Sequence, residues 1–146
     1  MANVMIVDDS DAIRMVLRDI LVIGQHNLVA ELSSGIGALE EYIKSKPDIV
    51  LLDMAMPKKD GLSVLKEIIS HNPQAKVIMI SASDNQETIK ECIKAGANTY
   101  ILKPFNFQEV LKIINNIIHI TILIISIIYA IINYSLFFFP MNLTLY

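Results

Sequence analysis

Five side chains could do chemistry together if the fold brought them to one place: Asp8, Asp9, Asp53, Ser81 and Lys103. Three carboxylates, a hydroxyl and an ammonium are the parts of a phosphoryl-transfer site. Clustered carboxylates repel one another and raise each other's pKa unless a cation is present. Lys103 supplies one positive charge, and a divalent metal would supply two. An all-oxygen donor set favours Mg2+, which keeps several waters and takes one or two carboxylates plus substrate oxygens. A carboxylate beside Mg2+ and a lysine can attack a phosphoryl group, because both cations neutralise the developing charge. Ser81 could hydrogen-bond the transferred group. Asp53 draws the eye first: Ile49 to Leu52 are all apolar and run straight into it, and a buried charge is costly unless paired. Taken singly, Asp9 reads as a helix cap and Ser81 as a turn residue. The joint pattern is much harder to obtain from turn chemistry.

The elements that must position these residues are legible as periodicities. Short apolar runs at 4–7, 28–32, 48–52, 76–81 and 99–103 alternate with amphipathic segments. Three of the runs are nearly continuous, as strands covered on both faces should be. Between them, Ile13, Val16, Leu17, Ile20 and Leu21 recur at helical spacing, as do Leu39 and Ile43, then Leu62, Leu65 and Ile69, then Ile89 and Ile93. Gly24, Pro47, Gly61, Pro73, Gly96 and Pro104 punctuate the pattern, and Ser10 and Asp84 suit helix N-caps. Repeated βα units predict an α/β fold, a parallel sheet with helices on both faces, and right-handed crossovers narrow it to a doubly wound sandwich. Such folds bind ligands at the carboxyl ends of the strands, near a switch point. The strands predicted here end at Asp8-Asp9, Asp53, Ser81 and Lys103.

The segments "VDDS" (7–10), "DIVLLDMAMPKKDG" (48–61), "VIMISAS" (77–83) and "AGANTYILKPF" (95–105), with the spacings between them, closely resemble the response-regulator receiver domain, CheY-like and of the single-domain type. The match covers roughly residues 2 to 118. The resemblance implies a five-stranded flavodoxin-like sheet in the order 2-1-3-4-5. It implies that Asp53 accepts phosphoryl from a phosphohistidine on a histidine kinase or histidine phosphotransfer protein. Asp8, Asp9, Asp53 and the backbone carbonyl of Ala55 would hold Mg2+, Ser81 would be the switch hydroxyl, and Lys103 would pair with the phosphoryl group. Tyr100 matches the switch aromatic, and Lys103-Pro104 the family's cis peptide. Phosphorylation would shift the population toward an active arrangement of the face built from the fourth helix, fifth strand and fifth helix. Ala55 and Ser83 carry no side chain suited to orienting a hydrolytic water, which predicts slow to moderate dephosphorylation.

A net charge of −3 gives no electrostatic case for nucleic-acid binding. A single cysteine, Cys92, excludes an internal disulfide and fits a reducing, cytoplasmic compartment. The opening "MANVMIVDDSD" has no basic region and is not a secretory signal. "GIG" (35–37) reads as a turn and not a dinucleotide fingerprint. Cys92 reads as packing, and His26, His71 and His119 lack metal spacing. Met54, Met56 and Met79 read as packing or loop residues, and Lys58 and Lys59 as a solvated loop.

From Ile113 to Tyr146 the chain carries no Asp, Glu, Lys or Arg. It therefore divides into a receiver domain, residues 1–118, and an apolar tail, 119–146. Ile117 to Phe139 is long enough to span a hydrocarbon core of about 30 Å, and upstream lysines would put the receiver on the cytoplasmic side. Three readings of the tail stand open: a membrane anchor, a fifth-helix extension that packs on another subunit, and a tail with no selected role. Its dense β-branched Ile disfavours helix in water more clearly than in lipid. The expected function is that of a stand-alone response regulator acting through a downstream protein target, as in chemotaxis or a phosphorelay. An Asp-nucleophile phosphatase is the alternative; such enzymes carry a second Asp two residues on, where this chain has Ala55. An unphosphorylated binding module is the third reading, and the intact set of five residues counts against it.

Overall fold

The computed structural model describes residues 1–138. Strands and helices alternate as β1 (Asn3–Val7), α1 (Asp11–Ile23), β2 (Asn27–Leu32), α2 (Ala38–Ser45), β3 (Ile49–Asp53), α3 (Gly61–His71), β4 (Val77–Ser81), α4 (Gln86–Lys94), β5 (Thr99–Leu102) and α5 (Phe107–Phe138). The five strands form one sheet in the order β2-β1-β3-β4-β5, and every neighbouring pair is parallel. This is the doubly wound fold expected from the alternating pattern. The chain divides into two compact units, Met1–Ile113 and a second that begins at Ile114.

Burial explains why the strands read as they do. All of β3 and all of β4 are buried, because helices cover both faces of a parallel sheet. β2 and β5 lie at the edges and are only partly covered. Met5, Val7, Val50, Leu52, Val77 and Met79 join Leu65 and Ile68 of α3 in the core beneath one face. Each such side chain contributes roughly 1.5–3 kcal/mol on burial.

Helix starts follow capping chemistry. Ser10 Oγ accepts from the Ile13 N–H at 3.4 Å and Asp60 Oδ1 from the Ser63 N–H at 2.7 Å. The cap expected at Asp84 falls one residue later: Asn85 Oδ1 accepts from the Thr88 N–H at 3.0 Å, which fixes the start of α4 at Gln86. Gly61 opens α3 and does not precede it. Three positions assigned to helical apolar faces, Val16, Ile43 and Ile93, are exposed. On α4 the buried residue is Cys92, whose Sγ sits 3.9 Å from the Met54 sulfur; a one-residue step around a helix turns Ile93 outward. Met56 and Met79 are buried, as packing residues should be.

α5 is a single helix of 32 residues. From Ile117 to Tyr134 none of its residues is buried. The candidate span ending at Phe139 and the tail's final residues extend outside the described residues.

Candidate functional site

The sheet order brings four carboxyl-terminal strand ends side by side. β1 stops at Val7 and delivers Asp8 and Asp9, β3 ends in Asp53 itself, β4 ends in Ser81, and Lys103 follows the last residue of β5. β1 and β3 are adjacent, and the chain winds away from them in opposite directions, so this rim is the topological switch point.

Lys103 joins the acids. Its Nζ lies 3.0 Å from Asp8 Oδ2 and 2.9 Å from Asp53 Oδ1. Carboxylate oxygens of Asp8, Asp9 and Asp53 all lie within 4.8 Å of one another. Asp8 and Asp53 are only 1% and 4% exposed, whereas Asp9 is exposed. The buried pair answers the cost of a carboxylate at a strand end: Lys103 is the compensating charge. The other Asp8 oxygen accepts from the Ser10 N–H at 2.8 Å. The Lys103 N–H donates to the Ser81 carbonyl at 2.7 Å, which stitches β4 to β5 at the rim. The Lys103-Pro104 peptide is cis.

Electrostatics follow from this packing. Burial pushes the Asp53 carboxyl above its ordinary range; the Lys103 hydrogen bond pulls it down, and the charges of Asp8 and Asp9 push it up again. For Lys103, burial works against the charge, but hydrogen bonds to Asp53 and Asp8 outweigh it and hold the ammonium above its ordinary value. The result is a basic, partly desolvated carboxylate beside a firmly protonated lysine. A carboxylate in that state can act as a nucleophile beside a fixed counter-charge.

The three clustered carboxylates form an all-oxygen donor set with one exposed member, which fits a hard divalent cation that retains waters. Ala55 lies two residues past Asp53 in the exposed β3–α3 loop. Ser81 is 2% exposed, and its Oγ accepts from the Ser83 N–H at 3.1 Å. The Tyr100 hydroxyl donates to the Ser83 carbonyl at 3.1 Å.

Three supporting residues escaped the sequence reading. Gly61 presses on the backbone of Asp53, where a Cβ would stand 2.1 Å from the Asp53 carbonyl oxygen. The helical pattern alone gives no sign of this contact. Arg14 donates through Nη1 to the Asp8 carbonyl at 2.7 Å and through Nε to Glu31 at 2.8 Å, and also pairs with Asp11. Its position one turn after Ser10 was the available signal. Lys59, in the β3–α3 loop, is partly exposed and pairs through Nζ with Glu67 at 2.6 Å. Its neighbour Lys58 holds φ 69° within a tight turn closed by the Lys59 N–H to the Pro57 carbonyl.

Comparison with known proteins agrees with the geometry. Residues 4–115 match the family model described as the response regulator receiver domain. The chain is 42% identical over 113 residues to the chemotaxis protein CheY of Bacillus subtilis, covering 77% of this chain and 94% of that protein. It is 40% identical over 115 residues to CheY of Thermotoga maritima, covering 79% and 96%. Among solved structures, CheY in the CheX-CheY-BeF3-Mg2+ complex of Borrelia burgdorferi superposes with a TM-score of 0.77 at 36% identity, covering 80% of this chain and 88% of that one.

Proposed function

The chain belongs to the response regulator receiver family and is a response regulator of two-component signalling, and we propose that Asp53 is its phosphoacceptor. The donor would be a phosphohistidine on a histidine kinase or histidine phosphotransfer protein. An Asp53 carboxylate oxygen attacks phosphorus, the P–N bond breaks, the imidazole leaves with the electron pair and takes a proton from solvent, and an acyl phosphate remains on Asp53. Lys103, already 2.9 Å from Asp53, stays protonated and pairs with the oxygens that gain charge. Asp8, Asp9, Asp53 and the Ala55 carbonyl would hold Mg2+. When bound, that ion neutralises negative charge on the phosphoryl oxygens.

In this reading the switch is a change of hydrogen-bond partner. Ser81 Oγ releases the Ser83 N–H and binds the phosphoryl group, and Tyr100 leaves the Ser83 carbonyl and turns inward. The face of α4, β5 and α5 then binds a downstream protein, and a chemotaxis role is the one its relatives suggest. The receiver unit works in the cytoplasm. The observation that carries the reading is the Lys103 bridge between two buried carboxylates.

Acetyl phosphate with Mg2+ tests it. A stable acyl phosphate on the wild type and none on Asp53→Asn is the expected result. Equal labelling of the variant would move the phosphoacceptor elsewhere. Rapid turnover without accumulation would favour a phosphatase, against which the Ala55 position already argues. No labelling at all would leave a binding module.

A further inference from the structure

We propose that the α5 segment from Ile117 to Phe138 crosses a lipid bilayer. Phe107–Tyr134 has a mean hydropathy of 2.2 over its most apolar stretch, none of which is buried. The part of α5 from Ile117 to Phe138 is 22 residues and extends roughly 33 Å at about 1.5 Å per residue, enough for the hydrocarbon core of about 30 Å. A core helix of a soluble protein would pass the length test but would be buried, and from Ile117 to Tyr134 this helix buries no residue.

The distribution of exposed side chains argues for lipid over a protein partner. Ile120, Ile122, Leu123, Ile124, Ile125, Ile127, Ile128, Ile131 and Ile132 are all about half exposed or more. At about 100° per residue they cover roughly three quarters of the circumference. A helix that docks on one protein face needs only a stripe. Between the apolar positions runs a narrow band of His119, Ser126 and Asn133 at seven-residue spacing.

Two polar side chains of the segment turn back onto its own backbone. Thr121 Oγ1 donates to the Ile117 carbonyl at 2.9 Å, and Asn133 Nδ2 donates to the Tyr129 carbonyl at 3.0 Å. Each satisfies one donor within the helix, four residues back. Charge placement agrees: Lys112 precedes the segment and no Asp, Glu, Lys or Arg lies between Ile113 and Tyr134. A lysine at that end favours the cytoplasmic side.

The test uses the full chain, reconstituted with vesicles of phosphatidylcholine and phosphatidylglycerol and floated on a density gradient before and after an alkaline carbonate wash. The expected result is flotation that survives the wash in the wild type and is lost in the double variant Ile124→Lys, Ile128→Lys. Acetyl-phosphate labelling of Asp53 should be the same in both, which separates failure of insertion from failure of the receiver reading. Release of the wild type by carbonate overturns the proposal, as does a wash-resistant double variant. A lipid-free wild-type chain that sediments as a defined soluble oligomer also overturns it, because a second copy would then cover the helix.

Discussion

Gly61→Ala sets two effects of opposite sign against each other. Alanine in a helix is favoured over glycine by up to about 1 kcal/mol, so propensity alone predicts a more stable α3. Geometry predicts the reverse. A Cβ at residue 61 would stand 2.1 Å from the Asp53 carbonyl oxygen and 2.8 Å from Met54 Cα. Both neighbours are backbone, so no rotamer change relieves the contact. Restoring ordinary separation moves the end of β3 or the start of α3 by about 1 Å, and overpacking of this kind costs typically about 1–3 kcal/mol. The Gly61 N–H also donates to the Met54 carbonyl at 2.8 Å, which ties the same two segments together. A misplacement of about 1 Å at a reacting carboxylate is worth up to about 100-fold in rate. The expected outcome is a chain less stable by roughly 1–2 kcal/mol that labels with acetyl phosphate 10- to 100-fold more slowly, by an order-of-magnitude estimate. Urea unfolding of the detergent-solubilised chain and initial labelling rates measure the two effects separately. A variant that labels at the wild-type rate and unfolds at higher urea would refute the claim that Gly61 is required by its contact with Asp53.

Without divalent metal, Asp53→Asn should be more stable than wild type at pH 7. The folded pKa of Asp53 is raised, chiefly by burial, so the native state keeps its proton after the unfolded chain loses it near pH ~3.9; stability therefore falls as pH rises through the folded value. The gain should fade toward pH 3, and a variant less stable at pH 7 would contradict the sign. Lys103→Met leaves Asp8 and Asp53 buried without their cation and should cost about 3 kcal/mol in chelator at neutral pH. The loss should shrink in acid, where protons replace the lysine; an unchanged urea midpoint would show that the bridge does not hold the acids. Asp60→Ala removes the α3 cap at 2.7 Å and should cost about 1 kcal/mol. Because the Asp60 carboxyl is held below its ordinary value by its hydrogen bonds to Ser63, its contribution is present above the unfolded pKa and lost as pH falls through the folded one. Unfolding midpoints of the variant and wild type should therefore converge in acid.

The architecture was legible because its signals are strong and redundant. Continuous apolar strands, helical spacing and Gly or Pro punctuation all point to one fold, and the strand-end rule then names Asp8, Asp9, Asp53, Ser81 and Lys103 as neighbours. What escaped depends on contacts between elements. Nothing in "DGLSV" tells that Gly61 lies against the Asp53 carbonyl, or that Arg14 reaches the Asp8 carbonyl. Ile93 and Cys92 are both apolar, and only the rotation of α4 against β5 decides which is buried. The cap of α4 moved from Asp84 to Asn85 because adjacent Asp and Asn are equally good acceptors, and the path of the loop chooses between them.

The placement of Lys103 has a consequence for biosynthesis. The acids reside on β1 and β3, inside the sheet, while the lysine arrives with β5, an edge strand and the last to be translated. A nascent chain that has paired its first four strands holds the carboxylates with no ammonium between them. Such a chain has a repelling, unneutralised rim, and pairing of β5 discharges it. If Asp53 is the phosphoacceptor proposed above, competence to be labelled would come with the final strand, which delivers Lys103.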